Sequence, residues 1–323
     1  LLLRQQQGFQ CVMPSGRNVF RDQFERVLPA SSVANLYPFN YSGKTDPHGF
    51  YVGRDKFGSN ILVDFNQRAD DKTNGSILIL GNSGQGKSYL LKLLLCNLRE
   101  AGLDVICLDP EMEYEDLTNN LGGCFIDLMG GRFLINPLEP KVWDEGEGLE
   151  DPDAPETFRI RSRLSQHISF LKDFFRSYKD FTDREIDVIE IMVQRLYARC
   201  GLTDETDFQM LGSKDYPTLS ELYGLIEAEY KGFDSGERQL YTAELLQNIL
   251  LGLHSMCRGP EAKFFNGHTN ITDSSFVTFG VKGVLQASRN LRDALLFNTL
   301  SFMSNRLLTV GNTVAALDEL YIW

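Results

Sequence analysis

The stretch SILILGNSGQGKSYLLKLLLCNLREAG, residues 76–102, decides the fold. It opens with a short β-branched and apolar run, which is typical of a buried parallel strand. A glycine-rich loop follows, and then an apolar-periodic helix whose end is marked by Gly102. Because strand, loop and helix follow one another directly, the stretch predicts the first unit of a parallel α/β sheet.

The loop GNSGQGKS fits the pattern G-x-x-x-x-G-K-[ST], which is the phosphate-binding P-loop or Walker A pattern. Glycines let such a loop fold tightly, so that its main-chain N–H groups point inward at an anion. Lys87 would place a cation on the β- and γ-phosphates of ATP, and Ser88 would offer its hydroxyl to Mg²⁺. The helix that starts at Lys87 adds its positive N-terminal dipole. The alternative is a chance glycine turn, which the flanking strand and helix disfavour. The predicted nucleotide-binding residues are Gly81, Asn82, Ser83, Gly84, Gln85, Gly86, Lys87, Ser88 and Tyr89.

The run AALDE, residues 315–319, has the form of a Walker B strand. Asp318, at the carboxyl end of the strand, is predicted to hold Mg²⁺ through water, and Glu319 to polarise the attacking water. Lys87 and Glu319 are therefore the predicted catalytic residues. The alternative is an ordinary strand that ends in charged residues. A phosphate-binding loop in the same chain favours the catalytic interpretation.

The segment LDPEMEYEDL places Asp109, Glu111 and Glu113 directly after a second buried strand. In a parallel sheet the carboxyl ends of the strands form the ligand edge. One of these acids could support the metal or the attacking water from behind the metal ligands. A solvated loop with acidic residues at a helix N-terminus explains the same pattern, and both interpretations stay open.

Other polar segments give weaker signals. The segments INPL (135–138) and FFNGHTNI (264–271) predict turns, and His268 has no partner pattern for a metal site. Arg289 and Arg292 precede the Walker B strand on a predicted helix. They could reach the phosphate of a neighbouring subunit, but a solvated helix face is the simpler interpretation.

Composition describes a globular chain without a membrane span. Of the 323 residues, 42% are hydrophobic and 24% charged, and the formal net charge is −12. That charge argues against coating nucleic acid through bulk electrostatics, although a local basic lining stays compatible with it. No apolar run approaches the ~18 residues of a membrane span. The six scattered cysteines predict buried, reduced thiols rather than a metal site or a disulfide framework.

The patterns along the chain predict an α/β fold with an all-α insertion. Residues 49–65 predict a β-hairpin that turns at Gly58. The runs LDVICLDP, CFIDL, SSFVTFGV and TVAALDE predict further strands, and a long helix is expected over 285–308. Between them lie an acidic linker and helices over 157–178, after Thr182, after Thr218 and over 237–253. The predicted domains are an N-terminal extension or linker (1–48), an ATPase domain (49–142 with 259–323), and the linker with its all-α insertion (143–258).

The ordered set of segments resembles the conjugative type IV secretion ATPases, the VirB-four/TraC/TrbE type of the HerA–FtsK group of P-loop ATPases. The resemblance runs from about Leu28 through LYPF, the hairpin, GNSGQGKS, LDPEMEY, INPL, FFNGHTNI and LDE. Gln85 stands where a small residue is commoner, and DELY replaces the frequent D-E-A-W, which leaves both acids intact.

The resemblance implies a RecA-like ATPase that uses ATP and Mg²⁺. It also implies hexamers at the cytoplasmic face of the bacterial inner membrane, where they bind other type IV secretion components and act on a DNA or nucleoprotein substrate. Two alternatives stay open: a DNA-translocating motor of the HerA–FtsK group, and a nucleotide-switched scaffold. In that architecture the strand after Walker B lies between the Walker B strand and the loop strand. We therefore expect that further chain follows Trp323, and that the opening LLLRQQQGFQ continues a longer chain.

Overall fold

The computed structural model describes residues 4–21, 27–35, 45–65, 67–68, 73–141, 163–233, 240–271 and 273–319. These residues belong to two compact units, Leu1–Leu78 and Ile79–Trp323. This division places the hairpin in the first unit, whereas the sequence-based boundaries join it to the ATPase domain. The helices of the predicted insertion share the second unit with the sheet. The domain boundaries themselves stay a prediction.

The described residues of the first unit include helices α1 (Gln5–Val12) and α2 (Ala30–Asn35) and a β-hairpin of β1 (Phe50–Arg54) and β2 (Asn60–Val63). The strands are antiparallel, with Phe50 opposite Val63. Gly58 supplies the left-handed residue of the turn at φ 86°. Asp55 Oδ1 accepts the N–H groups of Phe57 and Ser59 at 2.8 and 2.9 Å and fixes the turn. The predicted hairpin is confirmed.

The second unit is built on a four-stranded parallel sheet. Its strands are β3 (Asp104–Asp109), β4 (Cys124–Asp127), β5 (Phe276–Gly280) and β6 (Thr313–Leu317), in the order β4-β5-β3-β6. All three ladders are parallel. The central strands β3 and β5 are almost entirely buried, as their continuous apolar sequences require. The four predicted strands and the α/β fold class are confirmed.

Nine helices of the second unit surround this sheet among the described residues. They are α3 (Lys87–Glu100), α4 (Glu115–Asn120), α5 (Arg163–Tyr178), α6 (Asp183–Arg199), α7 (Leu219–Lys231), α8 (Ala243–Cys257), α9 (Ala262–Phe265), α10 (Lys282–Leu285) and α11 (Arg289–Val310). One side of the sheet packs on α3 through a small cluster that includes Leu95, Val105 and Phe276. The other side joins Ile106 and Phe279 to the helices of residues 163–257 in one large core. The helical insertion therefore shares one hydrophobic core with the sheet.

Local signals placed most helix ends correctly, and one capping box is complete. Thr182 Oγ1 accepts the N–H of Glu185, and Glu185 Oε2 accepts the N–H of Thr182 at 2.7 Å. The helix expected over 157–178 is described from Arg163 to Tyr178, and its first six residues lie outside the described part of the chain. Two other predicted helices have different bounds. The helix expected over 237–253 spans Ala243–Cys257, and Thr242 caps its start. The helix expected over 285–308 is split into α10 and α11, because residues 286–288 leave helical geometry.

The segment Ser76–Leu80 is not the buried strand that its sequence predicts. It belongs to no ladder, and the side chains of Ile77, Leu78 and Leu80 are 44%, 67% and 81% exposed. A strand needs a paired neighbour, and no strand of the described residues pairs with this segment. Within the same described part, β6 pairs with β3 alone. The strand that we expect between β6 and the segment 76–80 stays a prediction.

Lys141 is an ionisable residue buried beside the large core. Its Nζ donates to Asn298 Oδ1 at 3.1 Å and lies 4.2 Å from the centroid of the Phe170 ring. Burial lowers the pKa of Lys141 to about 7, and the charge of Glu139 opposes this shift. Burial and then the charge of Lys141 hold the pKa of the neighbouring His167 well below 6.5. The folded state therefore holds Lys141 neutral at a pH at which the unfolded chain holds it charged.

This difference predicts a pH-dependent stability that Lys141→Met removes. The pKa of Lys141 is about 7 in the folded state against an ordinary value of 10.5, so unfolding takes up a proton between these pH values. The free energy of unfolding of the wild type should therefore rise from pH 7 to pH 9 relative to that of Lys141→Met, by up to about 1.4 kcal/mol per pH unit. Urea denaturation at pH 7, 8 and 9 measures the difference. Lys179→Met, at an exposed position, is the control. A difference between wild type and Lys141→Met that stays constant over this range would contradict the prediction.

Candidate functional site

The loop 81–88 contains two glycines in the left-handed conformation. Gly84 and Gly86 have φ values of 75° and 85°, in the left-handed region that glycine occupies without strain. A Cβ atom added at either residue would meet nothing within 4 Å, so the main chain is open on that side. Within residues 82–86, the N–H of Gln85 donates to the main-chain carbonyl of Asn82 at 3.3 Å. No other N–H of these five residues donates to a main-chain carbonyl of the described residues. The other N–H groups of the loop are available to an anion.

Helix α3 begins at Lys87, directly after the loop, and anchors it to the sheet. Gly86 is its N-cap and accepts the N–H of Leu90 at 2.9 Å. Leu94, Leu95 and Leu98 are buried, which orients the helix so that its N-terminus carries the loop. Lys87 Nζ folds back to the carbonyl of Asn82 at 3.4 Å. The lysine ammonium and the positive end of the helix dipole therefore lie at the same loop.

Asp318 and Glu319 follow β6 at the carboxyl edge of the sheet. The N–H of Asp318 donates to the carbonyl of Leu108 at 3.3 Å, which continues the β3–β6 pairing by one residue. The N–H of Glu319 donates to Asp318 Oδ1 at 2.9 Å, and Glu319 has a φ of 47°. Both acids are half-buried. They lie at the strand ends, where parallel sheets bind ligands. Neither forms an ion pair with Lys87 among the described residues.

The three acids of the LDPEMEY segment have different environments. Asp109 is fully buried, and its Oδ1 and Oδ2 accept the N–H groups of Glu111 and Tyr114 at 3.1 and 2.9 Å. Glu111 is exposed and pairs with Lys282 at 3.3 Å. Glu113 pairs with Lys92 of α3 at 3.5 Å. Asp109 thus organises the loop after β3, while the other two acids lie at its surface.

Tyr114 is the residue of this edge that sequence reasoning missed. Its hydroxyl donates to Asp318 Oδ2 at 2.9 Å, and its side chain is buried. Burial, and then the neighbouring Cys107 and Asp318, raise the pKa of Tyr114 far above its usual value of 10.0, so the hydroxyl stays protonated and donates. The available signal was the aromatic residue that closes LDPEMEY beside a predicted ligand edge.

The side chain of Met112, in the loop after β3, packs closely on the end of β5. A Cβ atom added at Gly280, the last residue of β5, would clash with Met112 Sδ. Met112 itself has a φ of 62°, in the left-handed region that is unusual for a methionine. Glycine at the end of β5 therefore leaves room for the loop that carries Tyr114.

The INPL and FFNGHTNI segments form the predicted turns and are joined to each other. Asn136 is buried, and its N–H donates to Thr269 Oγ1 at 3.0 Å while its Nδ2 donates to the carbonyl of Pro217 at 2.9 Å. Asn270 Oδ1 accepts the N–H of Leu134 at 2.7 Å. Asn136 thereby joins this region to the helical insertion, and Asn270 joins the two turns to each other, so both have a structural role.

The remaining candidates stay at the surface. His268 is exposed, and no group of three or more metal-ligating side chains occurs within the described ranges. Arg289 and Arg292 both pair with Asp293, at 3.5 and 3.1 Å. Of the cysteines, Cys107 and Cys257 are buried as expected, whereas Cys200 is exposed. Among the helices of the described part, none has both the length and the apolar sequence that crossing a bilayer requires.

The residues fit the chemistry of a nucleotide with Mg²⁺. The loop offers unused N–H groups and a lysine ammonium, which suit phosphate oxygens. Ser88 offers a hydroxyl and Asp318 a carboxylate, which are the hard oxygen ligands that Mg²⁺ prefers. The Asp318 oxygens accept hydrogen bonds from the Tyr114 hydroxyl and from the N–H of Glu319, and a carboxylate has about four lone-pair sites in all, which suits it to a metal-bound water as well.

The chain is similar to several known proteins. Residues 68–208 match the family model described as "Helicase HerA, central domain". The chain is 24% identical over 315 residues to an uncharacterized protein of Bacillus anthracis, covering 90% of this chain and 46% of that protein. It is 26% identical over 155 residues to protein TraC of Escherichia coli (strain K12), covering 47% of this chain and 16% of that protein. The chain thus spans less than half the length of either curated relative.

A solved structure extends the match over most of the chain. The structure of VirB4 of Thermoanaerobacter pseudethanolicus superposes with a TM-score of 0.72 at 30% sequence identity. The match covers 87% of this chain and 70% of the VirB4 chain. The RecA-like α/β fold predicted from the sequence is thereby confirmed. At this identity and coverage, and with the distant similarity to TraC, the chain belongs to the VirB4/TraC family of type IV secretion ATPases.

Proposed function

We propose that the chain binds Mg-ATP at the loop 81–88 and hydrolyses it to energise a type IV secretion or conjugation system. The observation that carries this proposal is the loop itself. Gly84 and Gly86 hold left-handed conformations at the N-terminus of a 14-residue helix, with Lys87 folded against the loop. That arrangement presents N–H groups and a cation to a phosphate chain.

The residues of the site have separate proposed roles. The N–H groups of the loop and the ammonium of Lys87 hold the phosphates, with Gly81, Asn82, Ser83, Gln85 and Tyr89 as the rest of the proposed binding segment. Ser88 holds Mg²⁺, and Asp318 holds it through water. When bound, Mg²⁺ neutralises charge on the phosphate oxygens. Glu319 orients the attacking water and accepts its proton. Asp109 keeps the supporting loop in place, and Glu111 and Glu113 lie farther out.

The assembly and the location belong to the same proposal. We place the active protein as a homo-oligomer, a hexamer, at the cytoplasmic face of the bacterial membrane. It would contact other type IV secretion components there. The family of the chain supports both the location and the oligomer. The exposure of residues 81–86 supports the oligomer, because a neighbouring subunit can reach them. The substrate would be DNA or a nucleoprotein.

A second candidate function is direct translocation of DNA. The match of residues 68–208 to the central domain of the HerA helicase favours it. The net charge of −12 opposes it, because DNA contacts need a basic surface. A nucleotide-switched scaffold has no observation of its own in its favour.

One experiment separates these functions. The ATPase activity of the full-length protein is measured against its oligomeric state, with and without single-stranded DNA. Mg²⁺-dependent turnover that rises with assembly and changes little with DNA is expected. Strong stimulation by DNA with a steep salt dependence would instead identify a DNA motor. Turnover near zero in an intact oligomer, with nucleotide-dependent partner binding, would identify a scaffold and refute the ATPase proposal.

A further inference from the structure

We propose that Tyr114 is a positioning residue for Asp318, which it holds through the hydroxyl group. The inference rests on the proposed function, since it gives Asp318 the role of holding Mg²⁺ through water. It adds a residue from outside both nucleotide motifs to the site and assigns it a specific task. The task is to fix the direction in which the carboxylate of Asp318 presents its remaining lone pairs.

Two groups donate hydrogen bonds to different oxygens of the Asp318 carboxylate. Tyr114 Oη donates to Oδ2 at 2.9 Å, and the N–H of Glu319 donates to Oδ1 at 2.9 Å. With a donor on each oxygen, the plane of the Asp318 carboxylate is fixed. Outer partners of this kind orient the residues that act on a metal.

Tyr114 is itself held rigidly by its main chain and its ring. Its N–H donates to Asp109 Oδ2 at 2.9 Å, and its carbonyl accepts from Thr118 Oγ1 at 2.7 Å. Its ring is 0% exposed and belongs to the core cluster on the α3 side of the sheet. The hydroxyl therefore stands at a fixed point, since main chain and ring are both held.

Tyr114 also contacts α3, the helix that begins at the end of the loop 81–88. Lys92 Nζ lies 4.9 Å from the centroid of the Tyr114 ring and 3.5 Å from Glu113 Oε2. Lys92 belongs to α3, whose first residue is Lys87. Tyr114 thus contacts Asp318 through its hydroxyl and the helix of the phosphate loop through its ring. It connects the two predicted halves of the site.

The hydroxyl and the ring of Tyr114 have different roles. A phenylalanine would fill the same core volume and keep the contact with Lys92. A buried hydroxyl lowers stability unless it has a partner, and the partner that the structure gives it is the carboxylate of Asp318. The hydroxyl is therefore explained by Asp318, whereas the ring is explained by packing.

The test compares Tyr114→Phe with Tyr241→Phe in the full-length protein. Tyr241 Oη also donates to a carboxylate, Glu229 Oε1 at 2.6 Å, but in the helical insertion. The first readout is binding of Mn²⁺, as a probe for Mg²⁺, in the presence of ADP, followed by electron paramagnetic resonance. The second is the Mg²⁺ concentration that gives half-maximal ATPase activity.

For Tyr114→Phe we expect Mn²⁺ affinity to fall about tenfold or more and the Mg²⁺ requirement to rise by a similar factor. Tyr241→Phe should match the wild type in both readouts. In an Asp318→Asn background, Tyr114→Phe should have no further effect on Mn²⁺ binding, because the two residues act as one unit.

Two results would overturn the positioning role. One is Mn²⁺ binding by Tyr114→Phe that equals that of Tyr241→Phe. The other is an equal loss caused by Tyr114→Phe with and without Asp318→Asn, which would show that the hydroxyl acts independently of Asp318. Asp318→Asn alone keeps the proposed function distinguishable. If this variant binds Mn²⁺ and turns over as the wild type does, the metal site itself is wrong, and the positioning role with it.

Discussion

Lys87→Ala is expected to abolish ATP binding. Lys87 is the one cation within the loop 81–88, and its Nζ lies 3.4 Å from the carbonyl of Asn82, against the loop. Removing it takes away the charge that the β- and γ-phosphates would meet, while the N–H groups of the loop remain. Charge-assisted contacts of this kind are strong, and we expect affinity to fall by a hundredfold or more, on the order of 3 kcal/mol.

Equilibrium binding of ATP in the presence of Mg²⁺, measured by calorimetry, tests this expectation. Lys231→Ala is the matched control, because Lys231 is an exposed lysine that pairs with Glu227 at 2.8 Å on α7. The free energy of unfolding without nucleotide should stay near that of the wild type in both variants, since the loop is exposed. Binding of ATP by Lys87→Ala within about threefold of the wild-type affinity would refute the phosphate-binding role.

Glu319→Gln is expected to bind ATP normally and to stall hydrolysis. The amide keeps the size of the side chain and the main-chain N–H that donates to Asp318 Oδ1 at 2.9 Å. It cannot accept a proton from the attacking water. General-base catalysis typically contributes about 10²- to 10⁴-fold, so turnover should fall by that range at unchanged ATP affinity.

Single-turnover hydrolysis and equilibrium ATP binding, measured on the same preparation, give the two quantities. Glu244→Gln, in the first turn of α8 in the helical insertion, is the control and should match the wild type. Normal turnover in Glu319→Gln would remove Glu319 from the catalytic role. A parallel loss of ATP affinity and turnover would instead place Glu319 among the groups that bind the nucleotide.

Sequence reasoning succeeded where the signal is local. The loop 81–88, the start of α3 at Lys87, and the capping box of Thr182 with Glu185 each depend on residues within a few positions of one another. The assignments of β3 and β5 also succeeded, because both strands are buried on both faces and therefore have continuous apolar sequences. Asp318 and Glu319 were placed at the sheet edge because they follow the apolar run of β6.

It failed where a residue depends on a distant neighbour. The run Ser76–Leu80 has the composition of a buried strand, yet it lies exposed without a paired strand in the described part of the chain. Composition reports what a segment prefers to contact, but pairing requires that a neighbour be present at the right place. The bounds of α8 shifted because Thr242, rather than the residues before it, caps the helix.

By itself, the sequence determined the glycine-rich loop 81–88, the helix after it, the four strands of the sheet, and the pair of acids at the end of β6. It did so because backbone geometry and side-chain spacing within a segment are fixed by near neighbours. The tertiary structure alone decided the strand order β4-β5-β3-β6 and the contact of Tyr114 with Asp318. Those two residues stand 204 positions apart, and only the parallel pairing of β3 with β6 brings their strand ends to one edge. A hydrogen bond across that distance leaves no periodic trace in the sequence, because it depends on how whole strands pack rather than on the order of nearby residues.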